Sequence, residues 1–218
     1  MAREASIEVG QLAARATLKE TTEAIIRRAL LDGTMQPGEI YSANALAGRL
    51  GISNSPAREA MITLADKGLL EPIKNRGYRV VDMSDRDRQE VYDLRMLIEV
   101  EAVRRVALRG ISDETCGQLR KLVDSTVRVA ESGDVVEYLE VDQEFHVELV
   151  KILGNRRWVG IIENLRDQSR INGAYHLQER GLLTESAQEH RDIIDAVTQG
   201  DSRRVVELMT RHLEYARP

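Results

Sequence analysis

Apolar positions repeat at helical spacing along most of the chain, with one short stretch that alternates instead. Between Leu18 and Leu31, the residues Leu18, Ala24, Ile25, Ala29 and Leu30 line one helical face, and Asp32-Gly33 ends the run. The segment MQPGEIYS follows, with Pro37-Gly38 marking a turn. Ser42 then precedes a short helix from Ala43 to Leu50, closed by Gly51. Ser53 caps another, from about Ser55 to Lys67, with Pro56 in its first turn, where a missing N–H costs nothing. After Gly68, Leu69 to Ile73 and Tyr78 to Val81 read as two short strands around the basic turn Lys74-Asn75-Arg76-Gly77. Three helices followed by a β-hairpin make a winged helix-turn-helix.

From Ser84 onward the helical period dominates and strand signals vanish. Ser84 and Asp87 form a capping-box variant that opens a long helix to about Arg109, with Val91, Leu94, Ile98, Ala102 and Val106 on its buried side. Gly110, Ser132-Gly133, Gly154-Asn155, Gly181 and Gly200 punctuate five further helices. The expected fold class is therefore mainly α: an N-terminal winged helix-turn-helix followed by a six-helix domain. Residues 1–17 have no strong periodicity and read as a flexible arm, 18–82 as the DNA-binding domain, and 83–218 as the all-helical domain.

Composition sharpens this picture. With 42% apolar but only 4% aromatic residues, packing must rest on Leu, Ile, Val, Ala and Met, which favours helices over β-sandwiches. The net charge of −5 is uneven: residues 1–82 carry +1 and residues 83–218 carry −6, and a near-neutral front with local Arg and Lys clusters can still bind phosphate because affinity depends on the face presented. Cys116 is the only cysteine, which excludes an intrachain disulfide and a Cys-based zinc site and fits a reducing compartment. No run approaches the ~18 apolar residues of a membrane span, and residues 1–17 lack the apolar stretch of a signal peptide. A cytoplasmic protein with no membrane partner is expected.

Two constellations carry chemistry. In a helix-turn-helix the second helix enters the major groove with its N-terminal residues at the base edges. The stretch Gly51-Ile52-Ser53-Asn54-Ser55-Pro56-Ala57-Arg58 supplies hydroxyls, an amide and an Arg one turn inside. Arg58 is placed to reach guanine or phosphate, and Ser53 and Ser55 to donate to phosphate oxygens. In the wing, Lys74, Asn75, Arg76 and Arg79 around Gly77 suit insertion along a groove or backbone of double-stranded DNA. The second constellation is Asp142, His146, His190 and His212. Asp142 and His146 are four apart, so both leave the same helical face, and His190 and His212 lie on two later helices. An Asp with three neutral imidazoles suits a divalent transition metal such as Zn, Ni, Mn or Fe. His176 has no matched partner and reads as an ordinary residue.

The run from Ala24 to Val81, with PGE, LAGRLGIS, SPAREAMITLADKGLL and NRGYRV in that order, resembles the winged-helix domain of the GntR family of bacterial transcription regulators. The resemblance implies a dimeric repressor or activator on a palindromic operator, with repression the expectation. By position it puts Ser53, Asn54, Ser55, Pro56 and Arg58 at the DNA and Gly77 in the wing tip. The family usually carries Arg where this chain has Asn54, and Asn prefers adenine to guanine in the major groove. VYDLRMLIEVEAVRRVA, DQEFHVELV, EHRDIIDAVTQGD and RHL are similar to the FCD effector domain of the FadR branch, in the shorter VanR-type layout. That similarity implies an antiparallel helical bundle around a cavity, in which Asp142, His146, His190 and His212 hold a metal and a small organic acid completes its coordination. A carboxylate effector also needs a cation besides the metal, and Arg95 on the long helix is the best placed, unless it pairs with Glu99 at i+4. Two alternatives stand beside an acid-responsive regulator. One is a metal sensor in which the ion itself is the signal. The other is a metal-dependent enzyme, disfavoured because no Glu, Ser or Lys at diagnostic spacing stands out as a base.

Overall fold

Side-chain caps set where the helices begin. The computed structural model describes residues 17–171 and 181–218. The expected N-terminal arm, apart from Thr17, and His176 lie outside the described residues. Thr17 and Glu20 form a reciprocal capping box at the start of α1 (Leu18–Leu31), and Ser84 and Asp87 do the same for α4 (Asp85–Arg109). Ser42, Ser112, Asp134 and Asp201 accept backbone N–H groups at the starts of α2 (Ala43–Leu50), α5 (Asp113–Ser132), α6 (Val135–Lys151) and α9 (Ser202–Leu213). The remaining helices are α3 (Asn54–Asp66), α7 (Arg156–Ile171) and α8 (Leu183–Thr198), and a 3-10 turn, Glu214–Ala216, follows α9. No helix among the described residues is long and apolar enough to cross a membrane.

The N-terminal half is a winged helix-turn-helix with one more strand than the alternation shows. Strands β2 (Leu70–Ile73) and β3 (Gly77–Val80) form the hairpin, and β1 (Ile40–Tyr41) pairs with the other edge of β3, giving the antiparallel order β1-β3-β2. Two residues are too few to show a period of two, so β1 exists only through its pairing of Ile40 with Arg79 and Tyr41 with Tyr78. Ile26, Leu30, Met61, Leu64, Leu70 and Val80 pack into the core beneath this sheet.

In α1 the inward face differs from the apolar count. Leu18 and Ile25 are 59% and 42% exposed, whereas Thr22, Ile26 and Leu30, spaced four apart, are inside. Thr22 tolerates burial because its hydroxyl donates to the Leu18 carbonyl at 2.6 Å. On α4 the same happens on a larger scale: Leu94 is 45% exposed, and Arg95 and Glu99 occupy the buried stripe between Val91 and Ala102.

The C-terminal half is the expected bundle of six helices among the described residues. Helix α4 packs against α7 and α9, and α5 against α6 and α8. Phe145, Leu149, Ile193, Ile194, Val197, Leu208 and Met209 fill its centre, each contributing about 1.5–3 kcal/mol by leaving water. The halves are joined by side chains. Leu31 of α1 is buried among Val127, Val135 and Leu139. Arg27 and Arg28 pair with Asp167 and Glu140 at 2.9 and 2.7 Å, and Gln168 Nε2 donates to the Lys67 carbonyl at 2.8 Å.

Gly77 has φ +126°, and a Cβ there would lie 2.3 Å from the Tyr41 carbonyl oxygen, on the strand that β3 pairs with. Gly77→Ala should therefore push β1 from β3 and destabilise the protein by about 1–3 kcal/mol. Urea denaturation followed by circular dichroism measures this, and an unchanged midpoint would contradict the close approach.

Candidate metal centre and nucleic-acid interface

Three helices of the bundle aim four ligating groups at one point. Asp142 and His146 come from α6, one turn apart; His190 comes from α8 and His212 from α9. All four are buried, and one ligand atom from each lies within 4.8 Å of all the others. The three Nε2 atoms converge most closely: His146 to His190 is 3.3 Å, His146 to His212 is 3.1 Å, and His190 to His212 is 3.3 Å. Asp142 Oδ1 lies 3.3 Å from His190 Nε2 and 3.7 Å from His146 Nε2.

The groups behind the rings decide what those Nε2 atoms are. His212 Nδ1 lies 3.0 Å from the Glu189 carboxylate, an acceptor, so the His212 proton sits on Nδ1. Thr126 donates its hydroxyl to the Val123 carbonyl at 2.8 Å and turns its lone pair toward His190 Nδ1 at 3.2 Å, which places that ring's proton on Nδ1 as well. Both Nε2 atoms then face the centre as bare acceptors. Only His146, whose Nδ1 is buried without a hydrogen-bond partner among the described residues, has a proton to offer inward, and one proton cannot satisfy two neighbours and a carboxylate. A cation resolves the conflict. Donors ~2.0–2.1 Å from a shared ion stand about 2.9–3.4 Å apart in tetrahedral or octahedral arrangements, which is the spacing found between the imidazoles. The residues fit a divalent metal.

Buried charges surround the quartet in alternation. Arg166 donates to Glu99 Oε2 at 2.7 Å and to Asp142 Oδ2 at 2.5 Å, leaving Oδ1 to the imidazoles. Arg95 donates to Glu99 Oε1 at 2.6 Å and to the Ser169 hydroxyl at 3.0 Å. Burial alone would raise the pKa of Asp142, but Arg166 and the nearby imidazoles more than offset it and hold the carboxyl well below its ordinary range. For Glu99 burial is again opposed, by Arg95 and Arg166, and the net direction is down. Burial, reinforced by Arg166, pushes His146 well below its usual value, and burial pushes His190 down to about 4. At neutral pH both rings are in the neutral form that binds metal.

The sequence singles out Arg95 most strongly and Arg166 and Arg170 less so; Arg95 makes the i+4 pair with Glu99 that is the alternative to an effector contact, and it lies one carboxylate removed from Arg166. Arg166 and Arg170 show as a basic i, i+4 pair on α7, but their burial depends on α4 and α6 packing over them. Glu189 is adjacent to His190 in sequence yet serves His212, 23 residues away, for which the sequence carries no signal.

The nucleic-acid face is exposed and differently built. Ser53 occupies the N-cap of α3 without a side-chain cap bond, so its hydroxyl stands at the helix N-terminus beside exposed Asn54 and Ser55. Ser55 donates to Glu59 at 2.8 Å. Pro56 is half-buried in the first turn, and Arg58 is exposed and in no ion pair among the described residues. In the wing turn Lys74, Asn75 and Arg76 are exposed, with Asn75 at φ 60°. Arg79 instead pairs with Glu71 at 2.7 Å. Arg49, exposed in the last turn of α2, is a cation that the sequence reading passes over.

Comparison with known proteins agrees with both halves. Residues 18–80 match the gntR family of bacterial regulatory proteins, and residues 90–215 match the FCD domain. The HTH-type transcriptional repressor RspR of Escherichia coli (strain K12) is 29% identical over 87% of this chain and 83% of its own length. The Nta operon transcriptional regulator of Aminobacter aminovorans is 30% identical over 69% of this chain and 70% of its own. Among solved structures, E. coli McbR/YncC shares the fold with a TM-score of 0.80 at 21% identity, covering 92% of this chain and 95% of that one.

Because Glu189 fixes the tautomer and orientation of His212, Glu189→Ala should leave the bundle folded while lowering metal affinity roughly 10–100-fold. Competition with a chromophoric chelator reads the affinity. Wild-type affinity in the variant would remove Glu189 from the site.

Proposed function

The chain belongs to the GntR family of bacterial regulatory proteins, with an FCD domain behind its DNA-binding domain, and from that premise we propose that it is a homodimeric repressor. It is a DNA-binding transcriptional regulator, and the families it matches are regulators rather than enzymes. In our reading a divalent metal held by Asp142, His146, His190 and His212 receives a small organic acid, and the acid controls operator binding. The observation that carries this reading is the convergence of four buried ligating atoms within 4.8 Å of one another. When bound, the metal supplies Lewis-acid positions for a carboxylate. Arg166 holds Asp142 in its ligating orientation, and Glu99 ties Arg166 to Arg95. The effector's carboxylate competes for this shared set of guanidinium donors, with Arg95 as the proposed effector contact. The names of relatives support repression, since RspR is a repressor.

Our reading divides the chain near residue 82, with the reader ahead of it and an effector-binding and dimerising domain behind it; the family matches at 18–80 and 90–215 support such a division. A second copy would cover the exposed row Leu94, Leu97 and Leu108 on α4 together with Ile161 on α7. Two reading heads held at a half-site spacing would place Ser53, Asn54, Ser55, Pro56 and Arg58 in successive major grooves, and Lys74, Asn75, Arg76 and Gly77 at the flanking backbone. For the acid to act, it must bind the DNA-competent and incompetent arrangements with different affinity.

Two measurements test these assignments. Arg58→Ala should weaken operator binding by about 1–3 kcal/mol per half-site, with fold and dimer intact, in fluorescence anisotropy at matched salt. Unchanged affinity would remove Arg58 from the reader. His190→Ala should lose metal and thermal stability and blunt the response to a carboxylate, yet keep basal DNA binding because the reading head is separate. Elemental analysis of untagged protein checks the first step, and equal metal content in both proteins would end the shared-site reading. An operator response to metal that ignores every acid would favour a pure metal sensor instead.

A further inference from the structure

A second polar feature lies between the two halves, beginning one residue along α6 from Asp142. A cavity of about 170 Å³ is lined by Arg27, Arg28 and Leu31 of α1 and by Glu140, Gln143 and Arg170 of the effector domain. Arg170 is the informative residue. It is 6% exposed, its one hydrogen-bond partner among the described residues is the neutral side-chain carbonyl of Gln143, and its Nε and Nη2 are buried with no partner among them. Asp142 and Asp167 act on it through space, but each already serves another guanidinium, Arg166 and Arg27 respectively. Buried charges are normally paired, and buried polar groups normally hydrogen-bonded. Two guanidinium donors are left without an acceptor among the described residues.

We propose that this cavity is a binding site for a compact oxyanion, a phosphate or a small carboxylate, seated on Arg170 and closed by Arg27 and Arg28. Arg28 is paired with Glu140, and Arg27 with Asp167 and Glu23, so the uncompensated charge of the lining is that of Arg170. Its size suits such a ligand, since an engineered cavity of about 150 Å³ accommodates benzene. Arg27 and Arg28 belong to the reading head, whereas Arg170 and Gln143 belong to the effector domain, so a bound anion bridges the halves. Gln143 also joins Arg170 to Asp167, donating to Asp167 at 3.0 Å, and Asp167 holds Arg27 at 2.9 Å. The anion would complete a set of donors already arranged around the junction.

The test is isothermal titration of the full-length, metal-loaded protein with inorganic phosphate and, separately, with malonate, at constant ionic strength. One saturable site per chain is expected for at least one of them, and the one that saturates identifies the class. Arg170→Gln and Arg28→Gln should each weaken it at least tenfold. Arg28 is 52% exposed on its side chain, so its variant should fold normally even if the buried substitution does not. Chelator-stripped protein should bind with the same affinity, which separates this site from the quartet whatever becomes of the effector proposal. Absence of saturable binding for both anions overturns the proposal. So does binding that survives Arg28→Gln, or binding that disappears with the metal.

Discussion

Three imidazoles held with their Nε2 atoms 3.1–3.3 Å apart, two of them with protons fixed on the far side, form a concentration of lone pairs that the fold alone leaves in conflict. Much of the bundle is arranged around that constraint. Glu189 and Thr126 set the tautomers, Arg166 turns one oxygen of Asp142 away from the centre, and Phe145 packs its ring 4.5 Å from that of His190. Outer groups of this kind make a site specific, because they fix ring orientation before any ion arrives.

The alternating charges extend the same logic. Arg95, Glu99, Arg166 and Asp142 come from three helices and neutralise one another in a chain of hydrogen bonds at 2.5–2.7 Å. Removing any single member would strand its partner in a poorly solvated interior, so the set behaves as a unit. That unit ties α4 to α6 and α7. The next residues along α6 and α7, Gln143 and Asp167, connect onward to Arg27 in the reading head. A physical route therefore runs from the buried quartet to the DNA-binding half through contacts of short range. Whether it transmits a signal depends on two arrangements of the junction having different ligand affinities.

The reading head uses opposite physics. Its informative groups are exposed and sparsely paired: Arg58, Lys74 and Arg76 are in no ion pair among the described residues, and Ser53 leaves its cap bond unmade. Side chains meant for phosphates and base edges gain from being unengaged, because every internal partner would have to be released first. Arg79 illustrates the alternative, since its pairing with Glu71 stitches β3 to β2.

Local signals in the sequence determined much of this protein. Caps, glycine stops and helical spacing placed α1 to α4 to within a residue or two, and alternation around Lys74-Asn75-Arg76-Gly77 revealed the wing. The quartet was legible because His is scarce, four in the whole chain, and Asp142 and His146 stand one turn apart. What lacked a local signal was left to tertiary structure. Strand β1 is two residues long and is defined by its partner. The inward faces of α1 and α4 depend on Thr22, Arg95 and Glu99, polar residues that are buried because each finds a hydrogen-bond partner there, some of them on distant helices. The pairing of Glu189 with His212, of Arg166 with Glu99 and Asp142, and of Arg27 with Asp167 joins residues 23 to 140 positions apart. Periodicity records which residues are apolar along one helix; only packing decides which polar groups can afford to be inside, because that depends on what meets them there.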